Sequence, residues 1–328
     1  MVGKKTSDVK ASCSVLPSIA GISPYQGKTR VDALSKAIRA KRGEDVRGNQ
    51  AHYMFVGDLL ENTILNRAVE LFGLKQADLN CDYAVKHKDI PLEGSMDGIA
   101  DANSHTEILD DRANEVYVMG SDRAVMSGKV VLECKVTRDA PETDPPLWRG
   151  VMQLQGLMDC VGAKWGILCV LYQSTTLRFF IYHRDEEMVE EIRKLVLDFD
   201  RRVKEEDFYP PENPNDAISI WEKAELDREP IELPEEAEDY VEMLQLANAS
   251  LKKWEDIKEK STASLMALLE DNEIGYSWTV KDGERVCTQI KWPTINYKAR
   301  QERIVPAKEA YSVRQKTIKI KEIRYENN

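Results

Sequence analysis

The sequence predicts a mixed α/β core, a central mixed sheet flanked by helices, with a helical plus β-hairpin extension at its C-terminal end. Three observations lead there. Strand-like apolar runs at 129–136, 164–173 and 177–183 are interleaved with segments of helical periodicity. A proline-rich break, Tyr209-Pro210-Pro211-Glu212-Asn213-Pro214, then interrupts the pattern, because such a stretch cannot continue a helix. Beyond it the composition shifts to a coiled-coil-like seam followed by a hairpin signal.

Val31, Leu34 and Ile38 recur at helical spacing and predict a helix over 31–41. A second helix is expected over 54–72, where Leu60, Ile64, Ala68, Leu71 and Phe72 step by threes and fours. Residues 96–101 and 129–136 read as strands, and the polar stretch between them, 102–128, as a hairpin or long loop. Pro145 and Pro146 precede a helix whose buried stripe is Leu147, Val151, Leu154, Met158 and Val161. Two strands, 164–173 and 177–183, are joined by the turn Ser174-Thr175-Thr176. A long helix follows, with Met188, Ile192, Leu195, Val196, Phe199 and Val203 on one face. After the break, Tyr240, Leu244, Ala247, Leu251 and Trp254 alternate steps of four and three, and Asp282-Gly283 punctuates a hairpin over 278–292. The reading is a core over 1–208 and an appendage of open role over 209–328.

The chain has 328 residues, 42% hydrophobic and 31% charged, which suits a folded chain rather than a disordered or fibrous one. With 46 Lys+Arg against 57 Asp+Glu the net charge is −11, which at face value disfavours a polyanionic partner. Resolved by segment, the deficit is local. Residues 185–244 hold 22 acidic and 7 basic residues, so the rest of the chain is net +4. Residues 291–328 hold 10 basic and 4 acidic residues, a tail equally suited to contacting DNA, meeting an acidic partner, or being solvated. The acidic segment is expected to lie away from any bound DNA.

The N-terminal stretch is charged and lacks a signal-peptide core, and no apolar run approaches membrane length. The six cysteines form no C-x-x-C pair, so reduced thiols are expected rather than a disulfide framework or zinc site. A cytoplasmic protein is expected. Gly27-Lys28-Thr29 ends like a phosphate loop, but position 22, where that motif needs Gly, is Ile.

The chemistry concentrates in Val130-Val131-Leu132-Glu133-Cys134-Lys135-Val136. In a strand Leu132, Cys134 and Val136 point into one face, and Glu133 and Lys135 point together from the other. Upstream, Ser95-Met96-Asp97-Gly98-Ile99 puts an Asp at the start of another strand. Asp97 with Glu133 offers hard oxygen ligands for Mg²⁺, with Mn²⁺ a possible substitute, and Lys135 can orient a water and stabilise charge developing on a phosphate. A solvated Glu–Lys pair is the ordinary reading of a lone E-x-K. The apolar opposite face argues instead for a central strand.

Further motifs stand in order around this one: Ala11-Ser12 with Gly21-Ile22-Ser23-Pro24-Tyr25, Gly57-x-x-x-Glu61, Met96-Asp97-Gly98, Leu132-Glu133-Cys134-Lys135, and Gln153-Leu154-Gln155. This series resembles the PD-(D/E)XK nucleases, and within them the lambda exonuclease and YqaJ-like viral recombinase group, over about residues 5–200. The resemblance implies catalytic roles for Asp97, Glu133, Lys135, Gln153 and Glu61. It implies metal ligation by Asp97, Glu133 and the Cys134 backbone carbonyl, and DNA contacts by Ser12, Lys10 and Gln155. It implies a Mg²⁺-dependent 5′-to-3′ exonuclease resecting linear double-stranded DNA for phage-type recombination, a trimeric ring, and cooperation with a single-strand annealing protein. If phage-encoded, the protein would work in the bacterial host cytoplasm. The cysteine spacing does not suit the iron–sulfur cluster of some related nucleases.

Three departures stand out. Asp89 is the nearest candidate for an extra upstream acid, and its spacing fits poorly. The arginine that holds a DNA 5′-phosphate has no match, leaving Lys4, Lys5 or Lys10 as substitutes. The Asp97–Glu133 gap is long and implies an inserted hairpin. Two alternatives stay open: a structure-specific or nicking endonuclease of the same fold, and a non-catalytic DNA-end or protein-binding module. Each residue also has a plain structural reading: Ser12 as a cap, Asp97 as a turn residue, Glu61, Gln153 and Gln155 as solvated helix positions.

Overall fold

The structure is a computed structural model that describes residues 6–25, 27–46, 52–79, 81–103, 105–221, 231–297, 311–314 and 319–324. It divides into two compact units, Met1–Leu226 and Asp227–Asn328.

The first unit begins with β1 (Ala11–Ser12), α1 (Leu16–Ile19), α2 (Arg30–Lys41) and α3 (His52–Leu71). The strands β2 (Lys75–Asp78), β3 (Ala84–Lys86), β4 (Leu92–Ser95), β5 (Gly98–Asp101), β6 (Thr106–Leu109), β7 (Val116–Val118), β8 (Arg123–Met126) and β9 (Lys129–Thr137) follow. Then come α4 (Val151–Val161), β10 (Trp165–Tyr172), β11 (Thr176–His183), α5 (Glu186–Glu205) and α6 (Pro214–Ile220).

Six strands form the central sheet in the order β2-β5-β9-β10-β11-β7. It is mixed: β9 runs parallel to β10 and antiparallel to β5, and β10 is antiparallel to β11. Strand alternation splits the core into two layers. Val131, Leu168, Val170, Tyr172 and Phe180 face one side, with the buried residues of α2, α4 and α5. Val130, Leu132, Ile167, Cys169, Phe179 and Ile181 face the other, with Ile64, Leu65 and Ala68 of α3. Covered on both faces, β9 and β10 read as continuous apolar runs rather than alternating ones.

Several expectations need correcting. The stretch 102–128 holds the expected hairpin pairing, β6 with β8, but the segment between them is no plain turn: its β7 joins the central sheet by parallel pairing with β11. Leu147 does not extend the α4 stripe. It lies on a short 3₁₀ turn and is 44% exposed. Val136 is 38% exposed, because β9 is leaving the sheet's covered centre there. The prolines at 210–214 do not end the first unit. Pro214 opens α6, and Asp216 caps back onto α2 through Thr29, whose hydroxyl donates to Asp216 Oδ1 at 2.7 Å.

A buried polar cluster pins α4. Asp159, near its end, accepts a two-pronged contact from Arg193 of α5, at 3.0 and 2.7 Å, and pairs with His87 Nε2 at 3.1 Å. His87 Nδ1 accepts the backbone N–H groups of Asp89 and Ile90, which puts the ring proton on Nε2, donating to Asp159.

In the second unit, α7 (Glu236–Leu269) is a 34-residue helix. Its Tyr240, Leu244, Leu251 and Trp254 seam is exposed. The expected hairpin is β12 (Ile274–Lys281) and β13 (Glu284–Lys291), turning at Asp282-Gly283. Two further strands, β14 (Thr294–Tyr297) and β15 (Tyr311–Arg314), pair with each other, and β16 (Lys319–Arg324) pairs with β13. Most of the basic 291–328 tail lies outside the described residues. All six cysteines are free, and among the described residues no helix is long and apolar enough to cross a membrane.

Candidate active site

The site forms where β5 begins and β9 runs on past it. The β5–β9 pairing starts at Gly98 opposite Leu132, so Glu133, Cys134 and Lys135 lie beyond the end of β5. Asp97, just before β5, fills the vacated hydrogen-bonding edge: its Oδ2 accepts the Cys134 backbone N–H at 2.8 Å. The N–H and C=O of one strand residue leave on the same side. The Cys134 carbonyl therefore points to the same edge as Asp97, where the resemblance places a metal contact. A Cβ at Gly98 would stand 2.9 Å from Leu79 Cδ2, so the Leu79 side chain would have to shift to admit one.

Glu133 and Lys135 project together onto the face covered by α4. The Lys135 ammonium donates to Glu133 Oε1, and to Gln153 Oε1 of α4 at 3.1 Å. The plain reading of Gln153 is a solvated helix position, but that side of α4 is not solvent. Residues 151–159 of α4 are all buried, so its polar face looks onto β9. Gly150 permits the close approach. Its φ is +107°, and a Cβ would lie 3.1 Å from Lys135 Cε and 3.0 Å from Leu168 Cδ1. The sequence signal for Gly150 was its place between the Pro145-Pro146-Leu147-Trp148-Arg149 turn and the start of a helix.

One strand step beyond Lys135, Thr137 lies on the same face and accepts from Arg149 Nη1 at 3.0 Å. Arg149 is buried, forks onto Glu142 at 3.1 and 2.9 Å, and reaches Asp139 at 2.6 Å. Glu142 also accepts from Tyr172 Oη at 3.0 Å. This network, missed in the sequence, fixes the turn that leads into Gly150.

The electrostatics are those of a site short of positive charge. Burial pushes the Glu133 carboxyl up to about 8, and the neighbouring charge of Asp97 adds to the rise; Lys135 opposes it, and Glu61 contributes a smaller upward push. Burial alone would lower Lys135, but Glu133 and Asp97 outweigh it and raise it well above its ordinary value, so it stays an ammonium. Burial also pushes the Cys134 and Cys169 thiols up, making them packing groups rather than nucleophiles. Glu133 Oε2 is fully buried and has no hydrogen-bond partner among the described residues.

These residues fit a divalent cation. An orphaned carboxylate oxygen, a second carboxylate beside it and a carbonyl on the same edge are hard oxygen donors, and a cation would relieve the repulsion that raises Glu133. Among the described residues no three His, Cys, Asp or Glu side chains form a ready-made cage.

The remaining predicted residues divide. Glu61 on α3 is near enough for its charge to act on Glu133. Ser12 is buried on β1, level with Glu93 of β4, and its hydroxyl pairs with that of Ser14 at 3.2 Å. It caps no helix. Lys10 is exposed at the surface just before β1, and Lys4 and Lys5 lie outside the described residues. Gln155 does not belong to the site. It is buried, its amide donates to the His183 carbonyl at 3.1 Å, and its oxygen accepts the Asp185 N–H at 3.0 Å, tying α4 to the β11–α5 junction. Asp89 is an exposed turn residue beside Lys88. The buried acid upstream of Asp97 is Glu93, which accepts from the Ser7 backbone N–H.

No family profile matches the chain, and no curated protein matches it. The fold is similar to that of an alkaline exonuclease. That protein, from Laribacter hongkongensis and also solved in complex with dAMP, shares 15% identity at a TM-score of 0.43, covering 61% of this chain and 90% of its own. A phage-related exonuclease from Haemophilus somnus 129PT shares 14% identity at a TM-score of 0.37, covering 60% of this chain and 96% of its own.

Proposed function

We propose that the chain is a Mg²⁺-dependent deoxyribonuclease, a 5′-to-3′ exonuclease that resects linear double-stranded DNA for phage-type recombination in the cytoplasm. The observation that carries the metal-dependent chemistry is Glu133 Oε2, buried without a partner among the described residues, next to Asp97 and beside a protonated lysine. The direction, the recombination role, a ring-shaped homotrimer and a single-strand annealing partner follow the resemblance in the sequence motifs.

Asp97, Glu133 and the Cys134 carbonyl would hold the ion, with Glu61 acting on its water shell. When bound, Mg²⁺ supplies Lewis-acid stabilisation of charge on the scissile phosphate. Lys135, fixed between Glu133 and Gln153, presents N–H groups that orient a water and stabilise the charge that grows on phosphate oxygens during in-line attack. Its raised pKa keeps it a donor rather than a base. Gln153 and Gly150 limit where its ammonium can go, which is the positioning part of catalysis.

The test is incubation with Mg²⁺ and linear duplex DNA, with and without a 5′-phosphate, beside a covalently closed circle. Degradation of the linear form alone, starting from 5′ ends, is expected. Cutting of the circle would replace this reading with an endonuclease, and inertness in both Mg²⁺ and Mn²⁺ would favour a binding module.

A further inference from the structure

Beside the site lies a group of residues that the mechanism above does not use. Trp148 precedes Arg149 and Gly150, and the Arg149 guanidinium covers its ring at 4.3 Å. Tyr25 meets Trp148 edge to face, with centroids 5.6 Å apart and planes at 84°. The Lys28 ammonium stands 5.2 Å from the Tyr25 ring centre, and a turn in which Lys28 N–H donates to the Tyr25 carbonyl at 3.2 Å holds the two together. Tyr25 is 50% exposed. Trp148 is half-buried beside it, so the pair offers aromatic surface with a cation at its edge.

Its position relative to the chemistry is fixed by the chain. Arg149 Nη1 donates a hydrogen bond to Thr137 Oγ1, and Thr137 lies two residues beyond Lys135 on the same face of β9. Gly150 packs on the Lys135 side chain itself. Arg149 has its charge engaged by Asp139 and Glu142 and packs on one face of the Trp148 ring, holding it in place.

We propose that Tyr25 and Trp148, with Lys28, form a stacking platform for a nucleobase of the polynucleotide, seated next to the scissile phosphate. This rests on the nuclease reading and adds the residues that hold an unpaired base. Aromatic faces accept any base, so the platform grips a strand without reading its sequence, and Lys28 supplies the backbone attraction.

The experiment measures anisotropy of a labelled, nuclease-resistant phosphorothioate oligothymidylate in Mg²⁺, against a matched abasic strand, alongside hydrolysis of ordinary linear duplex. Wild type is expected to prefer the base-bearing strand. Tyr25→Ala is expected to weaken that strand by roughly five- to 150-fold while leaving the abasic strand unchanged, and Tyr25→Phe to restore the preference. Lys28→Gln is expected to weaken both strands alike. Equal wild-type binding of the two strands, or a preference that survives Tyr25→Ala, overturns the platform while hydrolysis by wild type leaves the nuclease reading standing. A wild-type protein that neither binds nor hydrolyses overturns both.

Discussion

Glu133→Gln makes the sharpest prediction about the metal-free protein: it should stabilise the fold at alkaline pH while abolishing activity. The Glu133 carboxyl is raised from 4.5 to about 8 by burial and by Asp97. Between those values the native protein holds a proton that the unfolded chain has released, so stability falls as pH rises through the window and levels off above about 8. From about pH 5.5 to about pH 8.5 the loss is on the order of 3 kcal/mol, at roughly 1.4 kcal/mol per pH unit within the window. For a unit of this size that is roughly 6–12 °C in Tm. Glutamine keeps an oxygen for Lys135 and cannot ionise. Thermal unfolding in EDTA at the two pH values should therefore show wild type losing this much more than Glu133→Gln. Mg²⁺ or Mn²⁺ should restore wild type at high pH and leave the variant unmoved. If the two proteins lose stability in parallel with pH, or the variant is the less stable at pH 8.5, the argument from a buried, charge-starved carboxylate is wrong.

Two further substitutions separate positioning from contact. Gly150→Ala places a methyl group 3.0–3.3 Å from Leu168 and Lys135 at a φ of +107°; it should cost about 1–3 kcal/mol of stability and lower kcat on the order of 10- to 100-fold with KM little changed, read by denaturant unfolding and steady-state kinetics. Gln155→Ala should lose about 1–3 kcal/mol, because two backbone groups lose their partner, yet leave kcat and DNA affinity intact, whereas Gln153→Ala should lower kcat.

How much was visible beforehand follows from the range of the forces involved. Periodicity is local, so α5, with its single apolar face, and the buried runs of β9 and β10 could be read directly. β7 could not: three residues, Val116–Val118, become a strand only by pairing with Phe179–Ile181, distant in sequence. The Glu133–Lys135 pair of the candidate site was legible because the two alternate against Leu132 and Cys134 along one strand. The assignment of Gln155 failed for a geometric reason. Gln153 and Gln155 lie about 200° apart around α4, so one faces Lys135 and the other the β11–α5 junction, and a helix buried on all sides gives no sequence signal to tell them apart. The prolines after Tyr209 misplaced the end of the first unit because Pro214 starts a helix that docks through Asp216. Global charge excluded nothing, since the acidic excess lies in α5 and the residues after it.

The most direct measurement of the central claim is nucleotide release from a linear duplex in Mg²⁺ by wild type, Asp97→Asn and Glu133→Gln, with each variant's fold verified by thermal unfolding. Hydrolysis by wild type and a fall of roughly 100-fold or more in both folded variants is the predicted result. Hydrolysis by either variant at the wild-type rate would contradict the assignment of Asp97 and Glu133 as the carboxylates of the site.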